Sequence, residues 1–223
     1  MNNKIKNNEI KDNQDVNVTN KTFKKQFNQK LINSFKLTTH KLTLIVLFLA
    51  VTVLISLLEI PTFFNDFLTI DFGITINLLT VYLIGLPYGL LISLIAPWLR
   101  LVIPHTMPPN VIGEIANMLS SVSTLIVFFL VNNLLLWLFK QKNNWKLSWV
   151  IDISSAILTI IIISLLNTFY NWAFILDLYG VNDLKSLLWT LFLPYNLFKF
   201  TLIFILFIIL KKPLLVLKNK ANL

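Results

Sequence analysis

The sequence predicts an all-α membrane protein, a bundle of six transmembrane helices with both termini in the cytoplasm. The first observation behind this prediction is the composition, because 56% of the 223 residues are hydrophobic and only 13% are charged. A soluble domain carries roughly twice that charged fraction. The second observation is that the apolar residues come in runs of about 20, the length at which a helix crosses a bilayer. The third is that most lysines cluster in three segments of the chain.

Six spans follow from the apolar runs. They cover residues 41–60, 70–84, 87–104, 111–139, 148–171 and 187–211. The break between the second and third spans is predicted from Gly85, Pro87 and Gly89, since the apolar stretch around them could otherwise form one kinked helix. Pro97 predicts a further kink within the third span. Together the spans predict a membrane domain over residues 39–213.

Two polar tails flank this domain. Residues 1–38 are rich in Asn and Lys and lack apolar periodicity, so they are predicted to form a disordered cytoplasmic tail. The alternative is a short helix on the membrane surface, with four apolar side chains on one face: Phe23, Phe27, Leu31 and Phe35. Residues 214–223 are predicted to form a second, basic cytoplasmic tail.

The basic residues set the predicted orientation. Nine of the 18 lysines lie in residues 1–41, three in 140–146 and four in 211–220. The segments that would then face outside hold Arg100 and Lys185 beside five acidic residues. Because cytoplasmic loops carry the excess of Lys and Arg, both termini are predicted to lie inside, in a multi-pass protein of the cell membrane. The net charge of +9 therefore reflects topology, and no nucleic-acid partner is expected.

The sequence lacks the residues on which most enzyme classes depend. It has no Cys, which excludes disulfides and thiol catalysis. It has no Gly-x-x-x-x-Gly-Lys-Ser/Thr loop, so the chain offers no ATP site of that kind. The two histidines, His40 and His105, do not form a paired-His metal motif. The chain is predicted not to be an enzyme and to hold no metal or cofactor.

A few ionisable and amide side chains lie within the predicted spans, where a charge at the centre costs roughly 2.5–3.5 kcal/mol. Glu114 lies near the start of the fourth span. Asn196 and Lys199, three residues apart in the last span, face the same side of a helix and present an amide and an ammonium together. They are predicted to bind the carbonyl groups of a planar polar ligand. The alternatives are that Lys199 pairs with Glu114 or a backbone carbonyl, or that it extends toward the membrane surface.

The fifth span carries a second pair of amides. Asn167 and Asn171 are one helical turn apart, with aromatic residues between and beside them. Amides flanked by aromatic rings suit a flat heteroaromatic ligand, because the rings can stack on the ligand while the amides bind its polar edge. The alternative is a structural role, in which these amides form hydrogen bonds between helices.

Several short motifs occur in the order found in one family of membrane proteins. They are Ile60-Pro61, Asp66-Phe67-Leu68, Ile70-Asp71-Phe72, Gly85-Leu86-Pro87-Tyr88-Gly89, Gly113-Glu114-Ile115-Ala116-Asn117, Ser164-Leu165-Leu166-Asn167 and Leu193-Pro194-Tyr195-Asn196-Leu197-Phe198-Lys199. From about Leu42 to Lys212, this ordered set resembles the substrate-binding (S) components of energy-coupling factor (ECF) vitamin transporters, most closely the riboflavin type.

The resemblance implies a site for riboflavin near the outer face, where amide and lysine groups of the fifth and sixth spans hold the isoalloxazine ring. By position it selects Asn196 and Lys199, together with Asn167. Asn171 is the competing assignment if the alignment slips by one turn. The vitamin is thus expected as a transported ligand and not as a cofactor.

The resemblance also assigns the surroundings of the site. Glu114 and Asn117 match the fourth-span motif of the family, where they shape the floor of the pocket. The outer loop, residues 61–69, is expected to close over the ligand. In many family members, small residues four apart in the first span let a partner helix approach closely, and Thr52 and Ser56 supply such a pair here.

The predicted function is therefore vitamin capture for an importer. The expected partners are a transmembrane scaffold subunit and two ATPase subunits, which drive release by reorienting the chain. Folate and pantothenate remain alternative vitamins. A self-sufficient secondary transporter would need ion sites, for which Glu114 and Asp152 are candidates, and internal repeats, which the sequence lacks. A membrane scaffold without transport activity is the remaining alternative.

Overall fold

Six main helices and one β-hairpin form the part of the chain that the structure describes. The structure, a computed structural model, describes residues 39–58, 60–62, 65–103, 110–139 and 145–220. In chain order the elements are α1 (Thr39–Ser56), β1 (Ile60–Thr62), β2 (Asn65–Ile70), α2 (Gly73–Leu83), α3 (Leu86–Val102), α4 (Val111–Leu138), α5 (Trp145–Tyr170) and α6 (Leu193–Lys220). The tail predicted over residues 1–38, with its alternative as a surface helix, lies outside the described residues. α6 continues past the predicted domain boundary at residue 213.

The β-hairpin is an addition to the predicted all-α architecture. Its strands pair antiparallel, with Ile60 opposite Ile70, and the Thr62 hydroxyl donates a hydrogen bond to the Leu68 carbonyl at 2.8 Å. β-Branched residues favour strands, and Ile and Thr recur in this segment. The end of the bundle that carries the hairpin, with the start of α4 and the end of α5, is called the hairpin end below.

α2 and α3 are two separate helices, as the glycines and proline predicted, and not one kinked helix. Gly85 lies between them with a φ of 133°, a conformation open to glycine but strained for other residues. α3 continues through Pro97 to Val102. α2 has only 11 residues, a length of about 16 Å.

Within the described ranges, three stretches are long and apolar enough to cross a membrane, and they are Val111–Leu138, Ser148–Tyr179 and Asn182–Leu214. α1, α2 and α3 are shorter apolar helices. Exposed tryptophans lie at the hairpin end (Trp98, Trp172 and Trp189) and at the opposite end (Trp137), as in the aromatic belts of membrane proteins. The number of crossings and the cytoplasmic position of both termini remain predictions.

The apolar core surrounds α2, whose residues from Gly73 to Thr80 are all buried. A helix that is apolar on every side belongs inside a bundle, and α2 contacts α1, α3, α4 and α6. Aromatic rings of α4 and α6 fill the space beside it. The Phe128 ring lies 5.5 Å from Phe204 and 5.3 Å from Phe207, between ring centroids, in tilted and edge-to-face arrangements that favour aromatic pairs.

Polar side chains link the helices around α2. The Asn77 amide donates to the Ser121 hydroxyl of α4 at 2.9 Å and accepts from the Thr52 hydroxyl of α1 at 3.2 Å. Thr52 and Ser56 are both buried inside the bundle. The expectation that this small pair receives a partner helix is therefore wrong, because both side chains already face α2.

The end of the bundle opposite the hairpin contains a second polar contact. Lys211 of α6 pairs with Asp152 of α5 at 2.6 Å, and its ammonium lies 4.1 Å from the centroid of the Tyr82 ring of α2. The contact joins three helices. Asp152, the candidate coupling-ion residue of the secondary-transporter alternative, is thus engaged by a cation of the same chain.

Candidate functional site

A cavity of about 510 Å³ opens at the hairpin end, between α4, α5, α6 and the end of β2. Its volume falls within the range of roughly 300–1,000 Å³ that is typical of small-molecule sites. The six side chains that the sequence analysis selected all line this one cavity. They are Glu114, Asn117, Asn167, Asn171, Asn196 and Lys199. The structure thus brings the selected set together from three helices, while their contact with a ligand remains a prediction.

The α6 wall presents Asn196 and Lys199 side by side. The Asn196 amide is buried and donates to the Thr168 hydroxyl of α5 at 3.2 Å. Lys199 is only 6% exposed, and its ammonium lies 5.8 Å from the centroid of the Tyr195 ring. Within the described residues the Lys199 ammonium forms no ion pair or hydrogen bond. The structure does not form the alternative pair with Glu114, and a buried ammonium beside a cavity can bind an electron-rich ligand.

The α5 wall presents the two other amides. The Asn167 amide nitrogen donates to the Ile163 carbonyl at 3.0 Å, and that of Asn171 donates to the Asn167 carbonyl at 2.9 Å. Both donors therefore bond to the backbone of their own helix and not to a neighbouring helix. Their amide oxygens are acceptors, so this wall offers hydrogen-bond acceptors where the α6 wall offers an ammonium donor.

The backbone of both walls widens beside the amides. α5 continues into a π-helical turn, Asn171–Ile175, and a second π-helical turn, Leu188–Phe192, leads into α6. Such turns are rare and occur often at functional sites, because the extra residue in the turn re-aims the side chains that follow. Ile175 and Phe192 line the cavity from these turns. The sequence does not reveal these π-helical turns, because one extra residue in a continuous apolar run does not change its pattern.

The floor contains a buried ion pair that sequence reasoning missed. Arg100, near the end of α3, donates from Nε to Oε1 of Glu114 at 2.6 Å, and its Nη2 also contacts this carboxylate. Both side chains are buried and line the cavity. The charge pattern of the sequence places Arg100 among the outer-segment charges. The signal that could have identified it is its position two residues before the end of an apolar helix, close in sequence to Glu114.

One hydroxyl of the cavity wall lacks a hydrogen-bond partner. Ser120 of α4 is buried, and its Oγ has no partner within the described part of the chain. Asn117, one turn earlier on α4, is half-buried and also lines the cavity. Among the described residues, no group of three Asp, Glu, His or Cys side chains could hold a metal ion. The polar groups of the cavity wall are thus hydroxyl, amide, carboxylate and cationic groups, which donate and accept hydrogen bonds.

The hairpin contributes the end of β2 to the cavity. Leu68 and Thr69 line it, and the Tyr195 hydroxyl donates to the Thr69 carbonyl at 2.5 Å. Leu68 also packs in a buried cluster with Leu188 and Phe192. The loop that was expected to close the site, residues 61–69, thus reaches the cavity at its carboxyl-terminal end and is bonded to α6.

A second segment at the mouth was not predicted. Tyr179, Val181 and Leu184 line the cavity from the turns that follow α5. An exposed ion pair, Asp177 with Lys185 at 2.6 Å, joins the two sides of this segment. Between them lies Gly180, whose φ of 71° favours glycine.

Comparison with known proteins agrees with the fold and with the family resemblance. The family model described as ECF transporter, substrate-specific component, matches residues 40–211. The riboflavin transporter RibU of Staphylococcus aureus (strain TCH60) is 26% identical over 174 residues, which cover 74% of this chain and 85% of that protein. A solved structure, described as the S component of a bacterial ECF transporter, superposes with a TM-score of 0.63 at 24% identity, covering 80% of this chain and 96% of that one.

Proposed function

Because the chain belongs to the substrate-specific components of ECF transporters, we propose that it captures riboflavin in the cavity at the hairpin end. The observation that carries the proposal is the convergence on one cavity of six polar residues from three segments that lie far apart in sequence. The relative that is a riboflavin transporter supports the choice of vitamin. Folate and pantothenate are the alternative ligands.

The arrangement of donors and acceptors supports a flat ligand with an imide edge. Lys199 is a cationic donor on α6, and the oxygens of Asn167 and Asn171 are acceptors on α5. The imide edge of a flavin ring has one N–H donor between two carbonyl acceptors. Its carbonyls can accept from the α6 wall, and its N–H can donate to the α5 wall. Tyr195 and Phe192 add aromatic surface for the ring.

The binding test uses the purified chain in detergent and the quenching of riboflavin fluorescence. Lys199→Met should weaken binding by about 10- to 100-fold, because a hydrogen bond from a charged group contributes roughly 1.5–3 kcal/mol. Lys212→Met, which removes an exposed lysine at the opposite end of the bundle, is the matched control and should bind as the unmodified protein does. Asn196→Leu should weaken binding as well.

Competition decides among the vitamins. Unlabelled folate and pantothenate, added to the riboflavin complex, should not displace the flavin. Each is added at a concentration that saturates a receptor specific for that vitamin. Displacement of bound riboflavin by one of them, or direct binding of one of them to a chain that does not quench riboflavin, would assign the chain to that vitamin. If the chain binds none of the three vitamins, vitamin capture is contradicted, and a membrane scaffold without transport activity is the favoured function.

We further propose that uptake needs an ECF scaffold and two ATPase subunits, as is usual for this family. The chain itself has no phosphate-binding loop. The two acids considered as coupling-ion sites, Glu114 and Asp152, are each engaged by a cation, Arg100 and Lys211. Uptake into vesicles should therefore require both the partner subunits and ATP, whereas uptake by the chain alone along an ion gradient would favour a secondary transporter.

The proposed orientation, with both termini in the cytoplasm, is testable because the chain has no Cys. Single substitutions, Asn2→Cys, Asn222→Cys and Asn182→Cys, each place one thiol in an otherwise unreactive protein. In intact cells a membrane-impermeant maleimide should label only the variant at position 182, beside the cavity mouth. Labelling of a terminal thiol without permeabilisation would overturn the assigned orientation.

A further inference from the structure

Arg100 connects three parts of the bundle at the hairpin end. Its guanidinium donates to the Glu114 carboxylate and, from Nη1, to the Ser56 carbonyl at the end of α1 at 3.0 Å. Nη1 also lies 3.8 Å from Oδ2 of Asp71, just after β2. The other Asp71 oxygen accepts from the Gly73 backbone at the start of α2 at 2.7 Å. Each of these acceptors is buried, so Arg100 is held from several directions.

Two cations of the cavity lining, Arg100 and Lys199, could neutralise the Glu114 carboxylate. Among the described residues, the charged side chains in the cavity lining are Arg100, Glu114 and Lys199. Glu114 is engaged by Arg100, although Lys199 lines the same space. A guanidinium offers several N–H donors to one carboxylate, whereas an ammonium is a compact point charge on a flexible stem. The bonds to Ser56 and Asp71 fix the guanidinium in place, which further favours the pair with Arg100.

We propose that Arg100 is a positioning residue which, by holding the Glu114 carboxylate on the floor, keeps the Lys199 ammonium available to the ligand. A buried carboxylate that loses its counter-ion is strongly unfavourable, so a Glu114 released from Arg100 would pair with Lys199, the other cation among the lining residues that the structure describes. Lys199 would then be occupied before a ligand arrives. The inference rests on the proposed function for the identity of the ligand.

The first test measures the effect of Lys199→Met on riboflavin affinity in three backgrounds. In the unmodified protein the loss should be about 10- to 100-fold. With Arg100→Met, affinity should already be low, and Lys199→Met should add less than about threefold, because Lys199 is already paired. With Arg100→Met and Glu114→Gln together, affinity should recover in part and the loss from Lys199→Met should return to about 10- to 100-fold.

A purely structural role for Arg100 gives a different result. Arg100→Met would then weaken binding, but Lys199→Met would cause the same fold-loss in every background, and that outcome overturns the proposal. Thermal unfolding of each ligand-free variant separates a loss of folded protein from a loss of affinity. Arg100→Gln, which keeps amide donors for the Ser56 carbonyl without a charge, replaces Arg100→Met if that variant does not fold.

The second test needs no ligand and so stands apart from the proposed function. In an experimental structure of ligand-free Arg100→Met or Arg100→Gln, a Glu114 carboxylate oxygen should lie within ion-pairing distance of Lys199 Nζ. A Glu114 carboxylate that stays away from Lys199 overturns the inference. Failure of the unmodified protein to bind riboflavin would contradict the proposed function alone, because the geometry of the variant still decides the role of Arg100.

Discussion

The bond between the Tyr195 hydroxyl and the Thr69 carbonyl ties the hairpin to the cavity wall, and its removal gives a kinetic prediction. The two atoms are 2.5 Å apart and the contact is partly buried. Tyr195→Phe deletes this hydrogen bond to a partly buried carbonyl, which should cost about 1–2 kcal/mol. Such a cost corresponds to about a 5- to 30-fold change in a rate or equilibrium constant.

If the hairpin covers the bound ligand, the loss of this hydrogen bond destabilises the closed state and therefore accelerates ligand release. Stopped-flow fluorescence should therefore show riboflavin dissociating about 5- to 30-fold faster from Tyr195→Phe, with an association rate changed by less than about threefold. Tyr170→Phe is the matched control, because it deletes a similar hydroxyl contact, 2.8 Å to Ser123, outside the cavity lining. An unchanged dissociation rate for Tyr195→Phe, or an equal acceleration in the control, would refute the role of this bond in closure.

Three further predictions concern stability and the cavity mouth. Lys211→Met leaves the Asp152 carboxylate, now 2.6 Å from the ammonium, without a cation and should lower the free energy of unfolding by about 3 kcal/mol in thermal denaturation. Riboflavin affinity should not change, since the pair lies at the opposite end. A Cβ added at Gly113 would lie 3.0 Å from the Tyr179 hydroxyl, so Gly113→Val crowds the cavity mouth and should weaken riboflavin binding about tenfold in the quenching assay. Phe204→Ala removes a buried core ring and should cost about 3–5 kcal/mol in the same denaturation measurement.

The apolar periodicity and the glycines predicted most of the helical architecture. The fourth span was predicted over residues 111–139, and α4 covers Val111–Leu138. The break at Gly85 was predicted from residue type alone, because a positive φ is readily open to glycine. The hairpin was not predicted, since its strands are short and no alternating pattern separates them from a loop.

The side chains of the cavity were predictable for a simple reason. Amides and ammonium groups are costly in lipid, so each one in an apolar run indicates a protected position. Asn196, Lys199 and Asn167 were found in this way. The contacts among them were not predictable, because pairing depends on helix rotation. Glu114 pairs with Arg100 and not with Lys199, whereas the charge pattern alone assigns Arg100 to an outer segment.

Small residues were harder to interpret than charged ones. Thr52 and Ser56 have the spacing of a contact surface for a partner helix, but the same spacing serves packing inside the bundle. In the structure Gly73 approaches the Ser56 side chain, and the Thr52 hydroxyl donates to Asn77. Sequence spacing shows that a close contact between helices occurs. It does not show whether the second helix belongs to the same chain.

The positions of the cavity and of the core bear on how a captured vitamin can leave. The cavity opens at the hairpin end, while the rings of Phe128, Phe204 and Phe207 fill the space between the helices farther along α4 and α6. A ligand moving through the bundle would have to break this packing, in which each large ring contributes about 3–5 kcal/mol. Among the described residues, opening of the hairpin breaks the bond between Tyr195 and Thr69 and the packing of Leu68, and leaves the aromatic core intact. We therefore expect release to occur through the same mouth that admits the ligand, after partner subunits have reoriented the whole chain. Cross-linking α4 to α6 within the core should then leave uptake intact, whereas cross-linking the hairpin to α6 should abolish it.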